Sequence, residues 1–186
     1  MPITITTTEI DAVLFMVSPL FRDNRGYFTE IHSLPNFEAA GFQETFVQDN
    51  LSRSVKGTLR GMHYQIEPYG MGKLVRPVSG SVFDAAVDLR EGSPTFGKWV
   101  GRTLRADHGE ALWVPVGFAH GFLALETDTL VLYKCTSSWK PEAERSLHYA
   151  DPDVGIEWPF PPEAVSEKDA IAPTLREAEY NFTFEG

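Results

Sequence analysis

One histidine, His63, lies between two cations, Arg60 and Lys73, in a stretch from Gly57 to Arg90 that glycines punctuate at 57, 61, 70, 72 and 80. A second histidine, His120, sits in a similar block, GEALWVPVGFAHGFLAL, from Gly109 to Leu125. Histidine is the side chain best matched to moving protons near neutral pH. A lysine beside it can stabilise an enolate oxygen formed from a carbonyl. Arg25, Arg60, Lys73 and Lys168 could hold a small anion, arginine through its bidentate fork. The two histidines could instead bind a metal. Acid–base work, anion binding and metal ligation are therefore the chemistries to place.

The elements around these residues read as strands. After Lys73 come two apolar runs, LVRPV and VFDAAVDL, joined by Ser-Gly-Ser. That pattern predicts a β-hairpin with a Gly-containing turn. Two glycine-to-histidine blocks then suggest two hairpin systems of one barrel or sandwich, with both histidines facing a common interior. Residues 1–20 read as one or two strands, and FRDNRGYFTEI, Phe21 to Ile31, as turn then strand. Pro35 and Gly41 bracket a short helix over 34–40. Phe46 to Ser54 is a strand that becomes polar. Turn signals every eight to twelve residues favour a sandwich or barrel over βα units. Arg60 and His63 are three apart, so a regular strand would aim them at opposite faces. Gly61 is therefore expected at a bulge that turns both inward.

The chain has 186 residues, 42% of them hydrophobic, enough for one globular domain over 1–186. From Lys140 the composition shifts. Residues 140–186 read as a Pro-rich, short-helical segment packed on the domain, with a helix at 166–170 behind Ser166 as N-cap. The net charge of −10 excludes broad nucleic-acid or anionic-membrane binding. No apolar run is long enough to span a bilayer, and the first residues lack the basic start of a secretory signal. The single cysteine, Cys135, excludes an intrachain disulfide. A soluble, reducing compartment, the cytoplasm, is expected.

For metal, the spacing resembles the two-motif cupin pattern. Gly57 with His63 fits the start of the first motif, and Gly109, Pro115, Gly117 and His120 meet the second. Two of the four usual ligands are missing, because Gln65 and Lys73 stand in their places. An ammonium beside the remaining histidines opposes a divalent cation. No metal is expected.

A more specific resemblance follows. RGMHYQ, then GKLVRPVSGSVFDAAVDLREGSPTFGKW, VPVGFAHGF and LYKCT, together with FRDNRGYFTE, FVQDN and SEKDA, are similar to the dTDP-4-dehydrorhamnose 3,5-epimerase family, the RmlC-like cupins. The agreement runs over roughly residues 10–176. It implies an all-β cupin jelly-roll barrel with a few short peripheral helices. It also implies a homodimer with N-terminal strands crossing to the partner, and a dTDP-linked 4-keto-6-deoxyhexose as substrate. No cofactor is implied, since the substrate's own ketone is the electron sink. By resemblance, His63 is the base, Asp169 its orienting carboxylate, Tyr133 the acid on the opposite face, and Lys73 the enolate stabiliser. Arg25, Arg60 and Lys168 transfer as diphosphate ligands. Glu30, Gln48, Asp49, Asn50 and Glu144 transfer as hydrogen-bonding positions for sugar and base, with His120 lining the sugar site. Trp139 aligns with a residue that stacks on thymine.

Plainer roles stand beside these. His120 could be structural, Tyr133 core, Trp139 surface packing, and Asp169 a helix-capping carboxylate behind Ser166. Asp84 could support Lys73 or be a solvated strand carboxylate. His32, His108 and His148 carry no motif. Met71 stands where such enzymes often have Gln. The primary expectation is epimerisation at C3 and C5 of dTDP-4-dehydro-6-deoxy-D-glucose. A mono-epimerase, a non-catalytic sugar-nucleotide-binding cupin and a metal-dependent oxygenase are its rivals.

Overall fold

The computed structural model describes residues 2–186. The chain begins with β1 (Thr4–Thr7), β2 (Leu14–Val17), β3 (Phe21–Asp23) and β4 (Gly26–Phe28), then helix α1 (Leu34–Ala39). Next come β5 (Gln48–Ser54), β6 (Thr58–Gln65), β7 (Lys73–Ser79), β8 (Ser81–Asp88), β9 (Arg90–Glu91) and β10 (Trp99–Arg105). After a 3-10 turn at Ala106–His108 follow β11 (Glu110–Val114), β12 (Phe118–Ala124) and β13 (Thr129–Cys135). The remainder holds β14 (Glu144–Ser146), β15 (Ala164–Val165), α2 (Glu167–Ala170) and β16 (Phe182–Thr183).

Two sheets form the body. One has the order β1-β2-β11-β7-β13-β5, the other β10-β8-β12-β6-β14 with β15 added parallel to β6. From β5 to β8, and again from β10 to β14, each step along the chain passes from one sheet to the other. That alternation makes a jelly roll, as expected for an all-β barrel.

The two expected hairpins do not form. β7 and β8 lie in different sheets, and so do β11 and β12. Gly80 alone links β7 to β8, with φ at 71°. A Cβ there would lie 2.5 Å from Thr129 Oγ1, so the corner needs glycine twice over. The apolar run of β8 has another origin than a hairpin leg. β8 runs between β10 and β12 and is buried along almost its whole length. Ala86 and Val82 face the inter-sheet core, while Ala85 and Val87 face the opposite way into a second cluster. Buried on both faces, such a strand loses the polar alternation of a half-exposed one.

Three apolar clusters fasten the layers. Between the sheets, Val75, Leu112, Val114 and Val131 meet Val82, Leu104, Phe118 and Phe122. Outside one sheet, Met16, Leu74 and Trp113 pack on Phe37 and Phe42 from the α1 region. Outside the other, Met62, Tyr64 and Val87 are covered by Leu147, Val154 and Phe182. Leu147 is wholly buried and Phe182 nearly so. Truncating such side chains costs about 2–5 kcal/mol each, so the segment after Lys140 is firmly held. It ends on the barrel through β16, parallel to β9.

The expected irregularity at Gly61 is present. His120 pairs with His63 but Phe122 pairs with Arg60, so β6 carries one extra residue over that interval. Gly61 has φ of 134°, and a Cβ there would lie 2.4 Å from Gly121 Cα. The bulge brings Arg60 and His63 to one cavity.

Candidate active site

The site begins with β6. Its neighbours in register at His63 are His120 on β12 and Ser146 on β14. Asp169 arrives from the far end of the chain on α2. Ser166 caps that helix, its Oγ accepting the Asp169 N–H at 3.1 Å. The Asp169 carboxylate reaches across to β6. Its Oδ1 lies 2.6 Å from His63 Nε2, and its Oδ2 accepts the Gly61 N–H at 3.4 Å. Burial alone would raise the Asp169 carboxyl, but the bond from His63 and the Gly61 N–H outweigh it and hold the group low. An ionised Asp169 accepts a hydrogen bond from the Nε2–H, leaving His63 Nδ1 as the open nitrogen.

Lys73 opens β7 on the facing sheet, and its Nζ donates to the His63 carbonyl at 3.1 Å. Burial is the main influence on Lys73 and pushes its ammonium below the usual lysine range, against the pull of Cys135, Asp84 and Glu144. Tyr133 lies beside it on β13, paired with Val75 and with Asn50. Burial raises the Tyr133 phenol, so it stays protonated as a donor. His63 and Tyr133 thus come from different sheets and line the same cavity.

That cavity, of about 460 Å³, is lined by Arg60, His63, Lys73, His120, Tyr133, Lys168 and Asp169, with Ser52, Phe122 and Val165 on its walls. A second hollow of about 290 Å³ holds Gln48, Asn50, Met71, Trp139 and Glu144. The two share His63, Lys73 and Tyr133. They form one cleft, with these three side chains at its waist. Arg60 is steadied by Ser54 Oγ and the Arg53 carbonyl, both at 3.1 Å. Lys168 Nζ lies 2.7 Å from Glu144, so this ion pair joins the two lobes. Gln48 donates to Asn50 and accepts the Trp139 N–H.

Four expected positions fall elsewhere or differ in partner. Arg25 is highly exposed at the tip between β3 and β4, paired with Asp23, and lines neither lobe. Glu30 accepts from Asn36 at the α1 end and is outside the cleft. Asp49 faces outward from β5 and pairs with Lys134 at 2.8 Å. The alternation of β5 turns Gln48, Asn50 and Ser52 in and Asp49 out. Asp84 is not solvated, and it supports Lys73 through its charge rather than through a hydrogen bond. It is fully buried and accepts from His120 Nε2 at 3.0 Å. Burial pushes His120 below its ordinary value, with Asp84 opposing. Sequence reasoning missed Ser52 and Phe122. Period-2 reading from Asn50 and from His120 points to both. Nothing local signals Val165.

The donor set does not suit a metal. Of the four cupin ligand positions only His63 and His120 carry a ligand side chain, too few to hold a divalent ion. Gln65 spends its amide on the Tyr69 and Ser138 carbonyls and the Lys140 N–H. Lys73 brings a positive charge.

The family model for dTDP-4-dehydrorhamnose 3,5-epimerase matches residues 7–177. The chain is 47% identical over 174 residues to the dTDP-4-dehydrorhamnose 3,5-epimerase of Shigella flexneri, covering 93% of this chain and 96% of that one. It is 47% identical over 176 residues to that of Pseudomonas aeruginosa, covering 94% and 97%. A crystal structure of a dTDP-6-deoxy-D-glucose-3,5-epimerase from Legionella pneumophila, in complex with dTDP-4-keto-L-rhamnose, matches with a TM-score of 0.94. Its identity is 42%, covering 99% of this chain and 100% of that one.

Proposed function

We infer the reaction from one premise: this chain belongs to the dTDP-4-dehydrorhamnose 3,5-epimerase family. It is an isomerase with the cupin jelly-roll fold. It epimerises C3 and C5 of dTDP-4-dehydro-6-deoxy-D-glucose to give dTDP-4-dehydro-L-rhamnose, in dTDP-rhamnose biosynthesis. The observation that carries the chemistry is the His63–Asp169 pair, at 2.6 Å, sharing one cavity with Tyr133 and Lys73.

The 4-keto group acidifies the protons on C3 and C5. His63 Nδ1 takes one of them, and the C–H electron pair moves into the enolate, whose charge lies on the C4 oxygen. Lys73 faces that oxygen. Its buried ammonium is poorly solvated, so it gains most when the enolate forms, which favours the transition state over the bound substrate. Tyr133 O–H delivers a proton to the opposite face, completing inversion. Solvent then returns a proton to the tyrosinate and removes one from the imidazolium. Repeating the cycle at the second carbon completes the reaction. Proton NMR of the substrate with enzyme in D₂O tests this: both C3 and C5 must take up deuterium. Uptake at one carbon alone would reduce the enzyme to a mono-epimerase.

Arg60 and Lys168 bind the diphosphate in this reading, and Gln48, Asn50 and Trp139 the nucleoside. Lys168 is already paired with Glu144 and half exposed, so it serves binding more than chemistry. Lys168→Ala will weaken dTDP binding by about tenfold with little change in kcat, measured by calorimetry and steady-state kinetics. Activity will also survive exhaustive EDTA treatment. Its loss, and return with one divalent ion, would overturn the cofactor-free mechanism.

The working state is a homodimer in the cytoplasm, folded as one domain. The β3–β4 hairpin supports the dimer: Phe21, Tyr27 and Phe28 are 49%, 44% and 64% exposed there. A partner subunit would cover them and give Arg25 an anionic ligand its own cleft does not offer. Light scattering on the purified protein tests the dimer. Among the described residues no helix is long and apolar enough to cross a membrane.

A further inference from the structure

We propose that Ser52 is a specificity-determining residue that reads the C2 hydroxyl of the sugar, an inference that rests on the epimerase reading above. Four polar side chains stand on one face of β5: Gln48, Asn50, Ser52 and Ser54. Three are engaged. Gln48 bonds Asn50 and Trp139, Asn50 donates to Cys135 Sγ, and Ser54 holds Arg60. Ser52 lines the main cavity, yet its Oγ is buried and has no hydrogen-bond partner. Among the described residues only Ser146 Oγ shares that condition, and it lines neither lobe. A buried hydroxyl without a partner is costly. A ligand hydroxyl in the cavity would supply the missing bond.

Which hydroxyl follows from the order of groups along β5. Asn50 is the cross-strand partner of Tyr133, Ser52 that of Val131, and Ser54 holds Arg60. The serine therefore lies between the proposed acid and a proposed diphosphate cation. On the sugar, C2 lies between C3, which reacts, and C1, which carries the diphosphate. The C3 hydroxyl changes configuration during turnover, so a fixed partner cannot hold it throughout. The C2 hydroxyl keeps its place and can anchor the ring through both inversions.

The test compares kcat/KM for dTDP-4-dehydro-6-deoxy-D-glucose and its 2-deoxy analogue in wild type and Ser52→Ala. The wild-type preference for the 2-hydroxyl substrate is expected to fall about tenfold in the variant. The rate with the analogue and the affinity for dTDP should stay unchanged. A variant that loses rate equally with both substrates, or with neither, overturns the assignment. A folded wild-type protein that turns over neither substrate would instead sink the epimerase reading. Normal wild-type turnover with unaltered selectivity in Ser52→Ala would sink Ser52 alone.

Discussion

A His63→Ala variant will lose inversion and deuterium uptake together at C3 and C5, with turnover down by about 10²–10⁴-fold or more. His63 Nδ1 is the open nitrogen of the cavity, because Nε2 is bound to Asp169 at 2.6 Å. Among the described residues no other base is equally placed. His120 has its Nε2 on Asp84 and is buried, and Lys73 has its Nζ on the His63 carbonyl. Removing the imidazole also leaves the buried Asp169 carboxylate without its main partner. His63→Asn is the companion variant, since its amide can still meet that carboxylate, and a thermal melt separates lost folding from lost chemistry. Asp169→Asn will give a weaker form of the same lesion, because it disturbs the ring's tautomer and leaves the proton acceptor in place. Replacing both residues will be little worse than replacing His63 alone, as the two act as one unit. Near-normal exchange at both carbons in His63→Ala would mean that another residue is the base.

Tyr133→Phe will separate two events that His63→Ala removes together. The base still forms the enolate and hands its proton back to the face it came from. Deuterium exchange therefore persists at C3 or C5, while inversion falls by about 10²–10⁴-fold. The swap is mild structurally. The Tyr133 ring packs against the inter-sheet cluster, and phenylalanine keeps that contact while deleting only the hydroxyl. NMR in D₂O reads both quantities in one tube. Inversion at the wild-type rate would remove Tyr133 from the mechanism.

Much of the fold is written in local pattern. The polar alternation of FVQDNLSRS sets the inward and outward faces of β5, and Gly61 marks a bulge because Arg60 and His63 must share a face. What local pattern cannot convey is which strands pair. An apolar run followed by Ser-Gly-Ser and another apolar run looks alike whether the chain folds back or crosses to a second sheet. Here it crosses, and the decisive contact is with Thr129, almost 50 residues on. Asp84 was illegible for the same reason: its partner, His120, is 36 residues away. The His63–Asp169 pair spans 106 residues, so only the family resemblance could anticipate it. Arg25, Glu30 and Asp49 line neither lobe of this chain's cleft, and a motif match carries no information on which face a position occupies.

His63 and Tyr133, the proposed base and acid, stand on opposite walls of the sandwich, and this makes its thickness a chemical variable. Sheets packed face to face lie about 10 Å apart, and the residues that keep them apart here are Val75, Val131, Phe118 and Phe122. A pyranose must fit in that gap with one face toward each wall. Enlarging or shrinking a core side chain moves His63 and Tyr133 relative to each other without touching either. Stereochemical outcome, usually ascribed to the groups that meet the substrate, then becomes adjustable from the interior. Replacements at Val131, which stands two residues from Tyr133 on the same strand, would shift the ratio of exchange to inversion before they alter affinity for the nucleotide.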